Sequence, residues 1–412
     1  MLYSFIIYLY SLAARLISPF HKKARKMILG QRETDSILLE KIDRNAKYIW
    51  FHASSLGEFE QGRPLIERIK ADHPEYKILI SFFSSSGYEV RKNYDQADVV
   101  CYLPFDTPRK VRKFIKLANP YMAIFIKYEF WGNYLKELKR HNIPVYITSA
   151  IFRKDQLFFK WYGKTYRNML TYFDHLFLQD NNSKELLHSI GITNVTVAGD
   201  TRFDSVWKVY NNRKDIPSLE IFLQNANENK QRMLIAGSTW PKDEDIFINY
   251  FNEKPDLKLI IAPHEIHEEH LIYIESLLKR PSVRLSQLSE KDLTDKDCII
   301  LDCFGLLTSI YQYGEIAFIG GGFTSSGIHN TLEAAVYDVP VIFGPIYEKF
   351  KEAVDLLKIG GGFTFNNAAE FEACINNLLT YPELLSNAGK VAGSFVKDNI
   401  GATDKILKQL PL

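Results

Sequence analysis

The sequence predicts an α/β protein of two doubly wound, Rossmann-like domains, preceded by an N-terminal membrane-anchor helix. From about residue 45 onward, short β-rich runs alternate with segments of helical period, which is typical of a parallel sheet covered on both faces. A polar stretch interrupts this alternation, and a second α/β series follows it. An uncharged apolar run opens the chain. We therefore predict an anchor at 1–26, domains at 27–207 and 231–412, and a linker at 208–230.

The N-terminal segment has the composition of a helix that lies at a membrane surface. Residues 1–14 carry no charge, and a basic cluster at 21–26 follows the apolar run, whereas a secretory signal places its basic residues first. This uncharged run is too short for a bilayer span, which needs about 20 residues. We predict an in-plane or shallow anchor whose basic cluster faces anionic headgroups on the cytoplasmic side. The alternative is a helix docked on the protein's own core.

Each domain contains a series of strand candidates separated by helical patterns. In the first domain the candidates are 46–53, 77–83, 98–103, 121–126, 143–149, 175–178 and 194–198. In the second domain they are 232–236, 257–262, 297–302, 315–319 and 339–343. Two consecutive units of this kind resemble the GT-B architecture of many glycosyltransferases, in which a ligand binds in a central cleft between the halves.

The bulk composition excludes several classes of function. The 412 residues are 46% hydrophobic, and 51 basic residues nearly balance 49 acidic ones, so that the net charge is +2. This balance gives no electrostatic basis for nucleic-acid binding. The four cysteines form no CxxC pair, which argues against a disulfide framework or a zinc site.

The turn after the first strand carries a candidate catalytic carboxylate. Glu58 lies where the β-rich run 46–53 gives way to a helical pattern, beyond the small residues Ser54 and Ser55. Ligands of open α/β sheets bind outside the strand tips, and the helix dipole there favours an ionised acid. Glu58 is therefore a candidate general base, although an acid that merely starts the helix fits the sequence equally well. Glu129 and Arg202 occupy comparable positions beyond two later strands.

A glycine-rich loop in the second domain is the candidate phosphate site. Residues 320–322, including Gly321, follow the strand at 315–319, and their backbone can approach an anion closely. The loop matches neither G-x-G-x-x-G nor a Walker A sequence. Asn330 and Glu333 share one helix face, where Glu333 can accept hydrogen bonds from a ribose. The alternative is an ordinary capping box with structural glycines.

Two other turns of the second domain carry polar side chains. Ser238 and Thr239 precede Pro241 and can bind an anion, although the same pattern is a plain N-cap. The histidine-rich segment 264–270 lacks the H-E-x-x-H spacing of zinc proteases, so we predict no metal there. His264, nearest the strand end, is the histidine best placed for a ligand.

Taken together, these segments resemble the lipid A-specific transferases of 3-deoxy-D-manno-octulosonic acid (Kdo) over nearly the whole chain. The resemblance rests on the N-terminal anchor and on HASSLGE at 52–58, YEFWGN at 128–133, GDTRFD at 199–204, GST at 237–239, AFIGGG at 317–322 and HNTLEA at 329–334. It implies inverting transfer of Kdo from CMP-Kdo to the lipid A precursor in lipopolysaccharide biosynthesis, without a cofactor or metal. The implied location is the cytoplasmic face of the inner membrane.

The resemblance also implies roles for individual residues. Glu58 corresponds to the catalytic base and Glu129 to a second carboxylate on the acceptor side, while Arg202 is expected to pair with the Kdo carboxylate or an acceptor phosphate. The CMP-binding positions fall at Pro263, His264, Phe304, Gly305, Leu306, Asn330, Thr331, Leu332 and Glu333, with Ser238, Thr239 and Gly321 expected to stabilise the departing CMP. The family usually shows Pro-Arg-His-Pro where this chain has Pro263-His264-Glu265-Ile266, so the phosphate contact falls to His264 or the glycine loop.

Two other functions fit the same sequence. One is another sugar-nucleotide enzyme of this architecture, a transferase or epimerase that uses a UDP donor. The other is a non-catalytic, membrane-bound binding protein that keeps the fold. The sequence predicts neither the number of Kdo residues transferred nor the oligomeric state.

Overall fold

The computed structural model describes residues 2–288 and 295–412, which form two compact units. The first unit extends to residue 205 and includes residues 400–412, and the second comprises residues 206–399. Each unit is a parallel sheet with helices packed against it, so the predicted pair of Rossmann-like α/β domains is confirmed.

The first unit is built on a seven-stranded sheet in the order β3-β2-β1-β4-β5-β6-β7, and every adjacent pair is parallel. All seven predicted strands are present. They are β1 (Lys47–Ala53), β2 (Tyr76–Phe82), β3 (Val99–Tyr102), β4 (Pro120–Ile126), β5 (Val145–Ala150), β6 (His175–Leu178) and β7 (Val195–Val197).

The helices up to the unit boundary connect these strands or precede them. They are α1 (Leu2–Ile17), α2 (Lys22–Lys41), α3 (Leu56–Asp72), α4 (Ser85–Arg91), α5 (Pro108–Ala118), α6 (Gly132–Arg140), α7 (Lys164–Leu170), α8 (Asn181–His188) and α9 (Thr201–Asn211). The last of these, α9, carries the chain from the first unit into the second.

Strand β1 shows why this sheet needs a helix layer on each face. Its alternate residues enter two different cores: Tyr48 and Trp50 pack in one, and Ile49 and Phe51 pack in the other. All four are essentially inaccessible to solvent. Because successive side chains of a strand point to opposite faces, such a strand is stable only when both faces are covered.

Helix α1 contacts the first unit along one stripe and exposes the rest of its surface. The stripe of least exposure follows the helical repeat, at Tyr3, Ser4, Ile7, Ser11 and Ala14. The opposite side is an exposed apolar face, formed by Phe5, Ile6, Leu9, Leu12, Leu16 and Ile17. Within residues 2–288 and 295–412, no single helix is long and apolar enough to cross a bilayer, although α1 and α2, bent by 116°, together match a broken span in length and composition.

The second unit repeats the architecture on a sheet in the order β10-β11-β9-β8-β12-β13-β14, again parallel throughout. The five predicted strands are present, together with two that the sequence prediction missed, β10 and β14. The strands are β8 (Arg232–Thr239), β9 (Leu257–Pro263), β10 (Ser282–Arg284), β11 (Cys298–Ile300), β12 (Ile316–Ile319), β13 (Val341–Phe343) and β14 (Gly362–Thr364).

Eight helices of the described chain belong to this unit after α9. They are α10 (Glu220–Glu228), α11 (Pro241–Asn252), α12 (Glu268–Leu277), α13 (Leu307–Ile310), α14 (Leu332–Ala335), α15 (Lys351–Ile359), α16 (Ala368–Thr380) and α17 (Pro382–Asp398). The stretch 208–230, expected as a linker, therefore contains the end of α9 and all of α10. Phe222 and Ala226 of α10 are buried, which accounts for a helix in so polar a stretch.

The C-terminal residues 400–412 lie with the first unit, whereas the sequence prediction placed all of 231–412 in the second domain. They contain the last helix, α18 (Ala402–Leu407). Asp204 accepts hydrogen bonds from the backbone of Gly401 and from the backbone and hydroxyl of Thr403. Ile406 and Leu410 enter the core that contains Ile49 and Phe51. A capping carboxylate and two apolar side chains thus hold this segment in place.

Both sheets contain one topological switch point. The chain builds the first sheet outward from β1 through β2 and β3, and then returns to add β4 on the other side of β1. In the second sheet the same reversal occurs between β8 and β12. In open α/β sheets, ligands bind beyond the carboxyl ends of the two strands at such a point. The loops after β1, β4, β8 and β12 are therefore the places to look for a functional site.

Candidate functional site

Glu58 caps the helix that follows β1, at the first switch point. It is the third residue of α3, and Ser55 is the N-cap: the Ser55 hydroxyl accepts a hydrogen bond from the Glu58 backbone at 3.4 Å. In return, Glu58 Oε2 accepts hydrogen bonds from the backbone of Ser54 at 2.7 Å and of Ser55 at 3.0 Å. This reciprocal arrangement is a capping box. It fixes the carboxylate through one oxygen, while Oε1 accepts no hydrogen bond from the part of the chain that the structure describes.

The surroundings of Glu58 make it an unusually weak acid. The pKa of Glu58 is raised from 4.5 to about 7, mainly by burial and also by the nearby charge of Glu129. His52 and the two backbone donors act in the opposite direction. A carboxylate with a pKa near neutrality is basic enough to take a proton and is still substantially ionised at pH 7. The structure shows the helix-capping role of Glu58, and its role as a base stays a prediction, with which this pKa is compatible.

Glu129 lies beyond β4, the partner of β1 at the switch point, and forms a buried network with His52 and Trp131. His52 Nε2 is 3.0 Å from Glu129 Oε2, and the Trp131 indole N–H donates to the same carboxylate oxygen. Burial alone would raise the pKa of Glu129, but its contacts with His52, Ser54 and Trp131 lower the pKa below its ordinary value. Glu129 is therefore a fixed negative charge next to Glu58.

His52 is wholly buried, and it connects Glu129 to the sheet. Its Nδ1 lies 2.9 Å from the Ser81 hydroxyl and 3.0 Å from the Ser81 carbonyl oxygen. Sequence reasoning did not select this residue. The signal was present, because His52 is a polar residue in the otherwise apolar run 49–53 and is the first residue of the HASSLGE motif.

Arg202 lies in the same unit, at the start of α9. Its guanidinium donates through Nε and Nη2 to Asp200 Oδ2 at 3.0 Å and 2.6 Å. Tyr128 lies within the electrostatic range of both Arg202 and Glu58, since the pKa of its hydroxyl, raised mainly by burial, responds to each of them. Glu58 and Arg202 thus both lie near Tyr128, which directly precedes Glu129 in the sequence, and Arg202 forms an ion pair with Asp200.

The second switch point is organised by Asp243, which sequence reasoning also missed. Asp243 Oδ2 accepts hydrogen bonds from the backbone of Trp240 at 3.0 Å and of Gly321 at 2.8 Å. Burial raises the pKa of Asp243 to about 6. The Gly321 N–H, expected to face a phosphate, is thus directed at a protein carboxylate. The signal in the sequence was the spacing of three residues between Trp240 and Asp243, which is that of a capping box.

The glycines of the loop pack so closely against neighbouring backbone that a side chain would not fit. A Cβ atom added to Gly320 would lie 2.2 Å from the Ser238 carbonyl oxygen, and one added to Gly322 would lie 2.5 Å from Gly344 Cα. Gly321 has a φ of +92°, which side chains rarely allow. The structure therefore gives these glycines a packing role.

Of the two hydroxyl groups expected beside this loop, that of Thr239 is hydrogen-bonded within the protein and that of Ser238 is accessible. The Thr239 hydroxyl is buried and donates to Glu244 at 2.7 Å, and Glu244 in turn contacts His270. Ser238 is partly exposed and has a φ of +55°, an uncommon value for a residue with a side chain. Ser238 is therefore the better candidate for a ligand contact.

Three rings form a stack beside the glycine loop. The Trp240 and His264 rings are stacked with centroids 4.9 Å apart, and the His264 and His329 rings are stacked at 4.3 Å. The Trp240 indole N–H donates to His329 Nε2 at 3.1 Å. Burial lowers the pKa of both imidazoles, that of His329 to about 4. At neutral pH His264 thus presents an uncharged aromatic surface.

Most of the remaining predicted donor residues lie next to this stack in the sequence, and the others lie in the loop before α13. Pro263 ends β9 directly before His264. Asn330 accepts from the Leu332 backbone and donates to Glu333 Oε1, both at 3.1 Å, which fixes Glu333 at the start of the one-turn helix α14. The Thr331 hydroxyl is buried and has no hydrogen-bond partner among the described residues. Phe304, Gly305 and Leu306 precede α13, where Phe304 is 78% exposed and Gly305 has a φ of +89°.

Lys349, which sequence reasoning did not select, contacts the segment that follows the glycine-rich loop. Its Nζ donates to the Ser325 carbonyl oxygen at 3.1 Å, and the side chain is otherwise exposed. No group of three or more His, Cys, Asp or Glu residues within 2–288 and 295–412 has the arrangement of a metal site.

Comparisons with known proteins agree with this description. Residues 24–205 match the family described as 3-deoxy-D-manno-octulosonic-acid transferase (kdotransferase). The chain is 26% identical to a 3-deoxy-D-manno-octulosonic acid transferase of Haemophilus influenzae, with 88% of this chain and 86% of that protein aligned. It is 28% identical to the Aquifex aeolicus protein of the same name, with 81% and 86% aligned.

Two further similarities concern a longer relative and the fold. A bifunctional glycosyltransferase/methyltransferase of Fusobacterium nucleatum is 28% identical over 94% of this chain, which spans 60% of that protein's length. Among solved structures, the UDP-GlcNAc 2-epimerase of Neisseria meningitidis aligns with 88% of this chain and 98% of its own, at a TM-score of 0.57 and 14% identity. That likeness supports the two-domain fold alone.

The similarity to curated transferases over most of the chain identifies this two-unit protein as a glycosyltransferase. More narrowly, the region that carries Glu58 and Glu129 is a domain of the Kdo transferase family, and the family resemblance seen in the sequence is confirmed.

Proposed function

We propose that this protein transfers Kdo from CMP-Kdo to the lipid A precursor, with inversion at the anomeric carbon and with Glu58 as the general base. The observation that carries the proposal is the state of Glu58 within a Kdo transferase family domain. One of its oxygens is held by two backbone donors, the other is available, and its pKa is about 7. These are the properties that proton removal from a sugar hydroxyl requires.

In the proposed reaction, Glu58 Oε1 takes the proton of an acceptor hydroxyl while the hydroxyl oxygen attacks the anomeric carbon of Kdo. A bond forms between that carbon and the acceptor oxygen, and the bond from the carbon to the CMP phosphate breaks. CMP leaves with the electron pair as an anion. A single attack from the side opposite CMP inverts the anomeric configuration. Glu129 takes no proton, and its charge keeps Glu58 basic.

The donor contacts are assigned to the second switch point. The uncharged ring cluster of Trp240, His264 and His329 is assigned to the nucleobase, which the exposed His264 can contact through its edge, and Glu333 is fixed to accept a hydrogen bond from a ribose hydroxyl. Both histidines have lowered pKa values, so neither supplies the positive charge that the departing phosphate requires. We assign that contribution to Lys349, together with the accessible turn at Ser238.

Arg202 is assigned to an anionic group of the substrates, either the Kdo carboxylate or a phosphate of the acceptor. Its location near Tyr128, in the unit that carries Glu58, supports this assignment. Since Asp200 already holds the guanidinium through two N–H groups, Arg202 is oriented before any substrate binds.

The acceptor is a lipid, and helix α1 is the proposed contact with its membrane. The apolar face of α1 is exposed, and the basic cluster His21 to Lys26 that follows the helix is exposed as well. An apolar helix face next to cationic side chains suits the surface of an anionic bilayer. We therefore propose that the protein binds the cytoplasmic face of the inner membrane through α1 lying in the plane of the interface.

Incubation with CMP-Kdo and a tetraacyl lipid A precursor, followed by mass spectrometry of the lipid, tests the reaction. A mass increase equal to one or more Kdo residues is the expected result. A thermal-shift screen provides the matched donor test: CMP is expected to raise the melting temperature, and UDP is not. Stabilisation by UDP alone would instead indicate a UDP-sugar enzyme. CMP-Kdo that binds without being consumed would indicate a non-catalytic binding protein.

A further inference from the structure

We infer that Tyr3 of helix α1 is a positioning residue, which fixes Trp131 and through it the Glu129 carboxylate beside Glu58. The inference rests on the proposed function, since it assigns a role in that reaction. It makes α1 a structural part of the acceptor-side site in addition to the proposed contact with the membrane.

The first step is the hydrogen bonding at the start of α6. The Tyr3 hydroxyl accepts a hydrogen bond from the Gly132 backbone at 3.0 Å and donates to Asp106 Oδ2 at 2.6 Å. The Asp106 carboxylate accepts from the backbones of Asn133 at 3.0 Å and Tyr134 at 2.9 Å. The first N–H groups of a helix have no partner within it. Tyr3 and Asp106, from two other parts of the chain, supply the partners for the first three.

This capping from a distance is needed because of the residue at the N-cap of α6. That residue is Trp131, whose side chain makes no capping hydrogen bond and points into the site instead. The indole N–H of Trp131 donates to Glu129 and also lies 3.0 Å from His52 Nε2. Because Gly132 directly follows Trp131, the bond to Tyr3 holds the backbone at the point from which the indole projects.

Helix α1 also supports the Trp131 ring, through a second route. The rings of Trp131 and Phe83 have centroids 4.8 Å apart, and Phe83 is stacked on Tyr10 of α1 at 6.3 Å. A Cβ atom added to Gly132 would lie 3.0 Å from a Tyr3 ring atom, so the helix approaches this backbone closely. Two residues of α1, seven positions apart, thus lie on the side of the helix that faces Trp131.

The site residues therefore depend on a helix whose other side is apolar and exposed. A movement of α1 would displace Tyr3 and Tyr10 together, and the indole donor on Glu129 with them. Small misplacements of groups around reacting atoms reduce turnover strongly. The expected consequence of removing the Tyr3 hydroxyl is a fall in kcat rather than a loss of donor binding.

The experiment uses the full chain and a detergent-dispersed acceptor, so that membrane binding does not limit the rate. Tyr3→Phe is expected to lower kcat roughly tenfold, the effect typical of one lost buried hydrogen bond, with the KM for CMP-Kdo within about twofold of the wild type. Tyr162→Phe, which removes the hydroxyl of an exposed tyrosine in the same unit, is the control and should leave kcat unchanged.

A double-mutant cycle distinguishes positioning from general destabilisation. If Tyr3 acts through Trp131, then Tyr3→Phe combined with Trp131→Phe lowers kcat no further than Trp131→Phe alone. Multiplicative effects of the two substitutions, or a wild-type kcat in Tyr3→Phe, would overturn the inference. Melting temperatures of all variants identify any that fail to fold.

A spectroscopic readout separates this inference from the proposed reaction. The indole N–H resonance of Trp131, assigned by its absence in Trp131→Phe, is expected to shift in Tyr3→Phe and to stay in place in Tyr162→Phe. An unshifted resonance would refute the positioning role. Wild-type protein that transfers no Kdo, but whose indole resonance responds to Tyr3→Phe, would refute the proposed function and leave the structural link standing.

Discussion

Replacing Glu58 by glutamine tests the central chemical assignment with little disturbance of the structure. Glutamine is the other residue that completes a capping box, and its amide oxygen can accept the hydrogen bonds from Ser54 and Ser55. The variant loses the negative charge of Glu58 and its ability to take a proton. If Glu58 is the general base, turnover falls by a factor on the order of 100 or more, while CMP still raises the melting temperature.

The pKa of Glu58 gives the wild-type rate a definite pH dependence. With a pKa of about 7, roughly a tenth of the carboxylates are ionised at pH 6 and roughly nine tenths at pH 8. Because the base must be ionised, kcat/KM is expected to rise about tenfold between those values. The assay is mass-spectrometric quantification of the Kdo-bearing lipid across this range.

The same pKa predicts that the folded wild type becomes less stable over the pH range in which its rate rises. A carboxyl group that binds its proton more tightly when folded favours the fold at low pH, and this contribution is lost as the pH rises from 4.5 to about 7. Glu58→Gln removes the ionisable group, and therefore removes this loss of stability with rising pH. The variant is therefore expected to be more stable than the wild type at pH 8, by up to about 3 kcal/mol, and not at pH 4.

Ser55→Ala is the matched control for these measurements. It removes the hydroxyl that caps the Glu58 backbone, at a cost of about 1 kcal/mol in stability, but it leaves the carboxylate and its two backbone donors in place. Turnover should therefore change little. Near-normal turnover in Glu58→Gln, or a wild-type rate that is flat from pH 6 to pH 8, would refute the reasoning.

Three further predictions concern other parts of the molecule. Glu129→Gln removes a charge that raises the pKa of Glu58, so the rise of kcat/KM with pH should move to lower pH, and a profile that stays in place would contradict the assigned coupling. Gly322→Ala forces a Cβ atom against Gly344 and should destabilise the fold by about 1–3 kcal/mol in chemical denaturation, whereas Gly57→Ala meets no atom within 4 Å and should not. Leu9→Asp combined with Leu16→Asp on the apolar face of α1 should reduce co-sedimentation with anionic vesicles at least tenfold or so, without lowering kcat on detergent-dispersed acceptor; unchanged sedimentation would argue against α1 as the membrane contact.

The strands were predictable because most of them are long enough to show a pattern. All twelve predicted strands are present, and residues such as Ile49 to Phe51 give an unbroken apolar run. Three predicted strands, β7, β11 and β13, are also only three residues long, but each contains at least two apolar residues. The two missed strands, β10 and β14, contain one apolar residue each, and β14 begins with a glycine. A single apolar residue shows no period, and glycine is depleted in strands. They are identified as strands only by their hydrogen bonding to neighbouring strands in the structure.

The site was predictable where a single residue carries the signal. Glu58 stands out because an acid follows a strand at the spacing of a capping box. The roles of His52 and Asp243 depend on distant partners, Glu129 and Gly321, which come together only when separate strands align at a switch point. The pKa of Glu58 likewise depends on burial and on Glu129, neither of which a local sequence pattern contains.

The return of residues 400–412 to the first unit affects how the protein is made. The second unit is continuous in sequence, but the first is interrupted by it and lacks Ile406, Leu410 and the partners of Asp204 until residues 400–412 have been synthesised. Domains fold as units during synthesis, usually the N-terminal one first. Here the first unit, which carries Glu58, receives its last core residues only after the second unit has been synthesised. A translation product that stops before residue 400 would therefore contain a complete second unit and an incomplete first one.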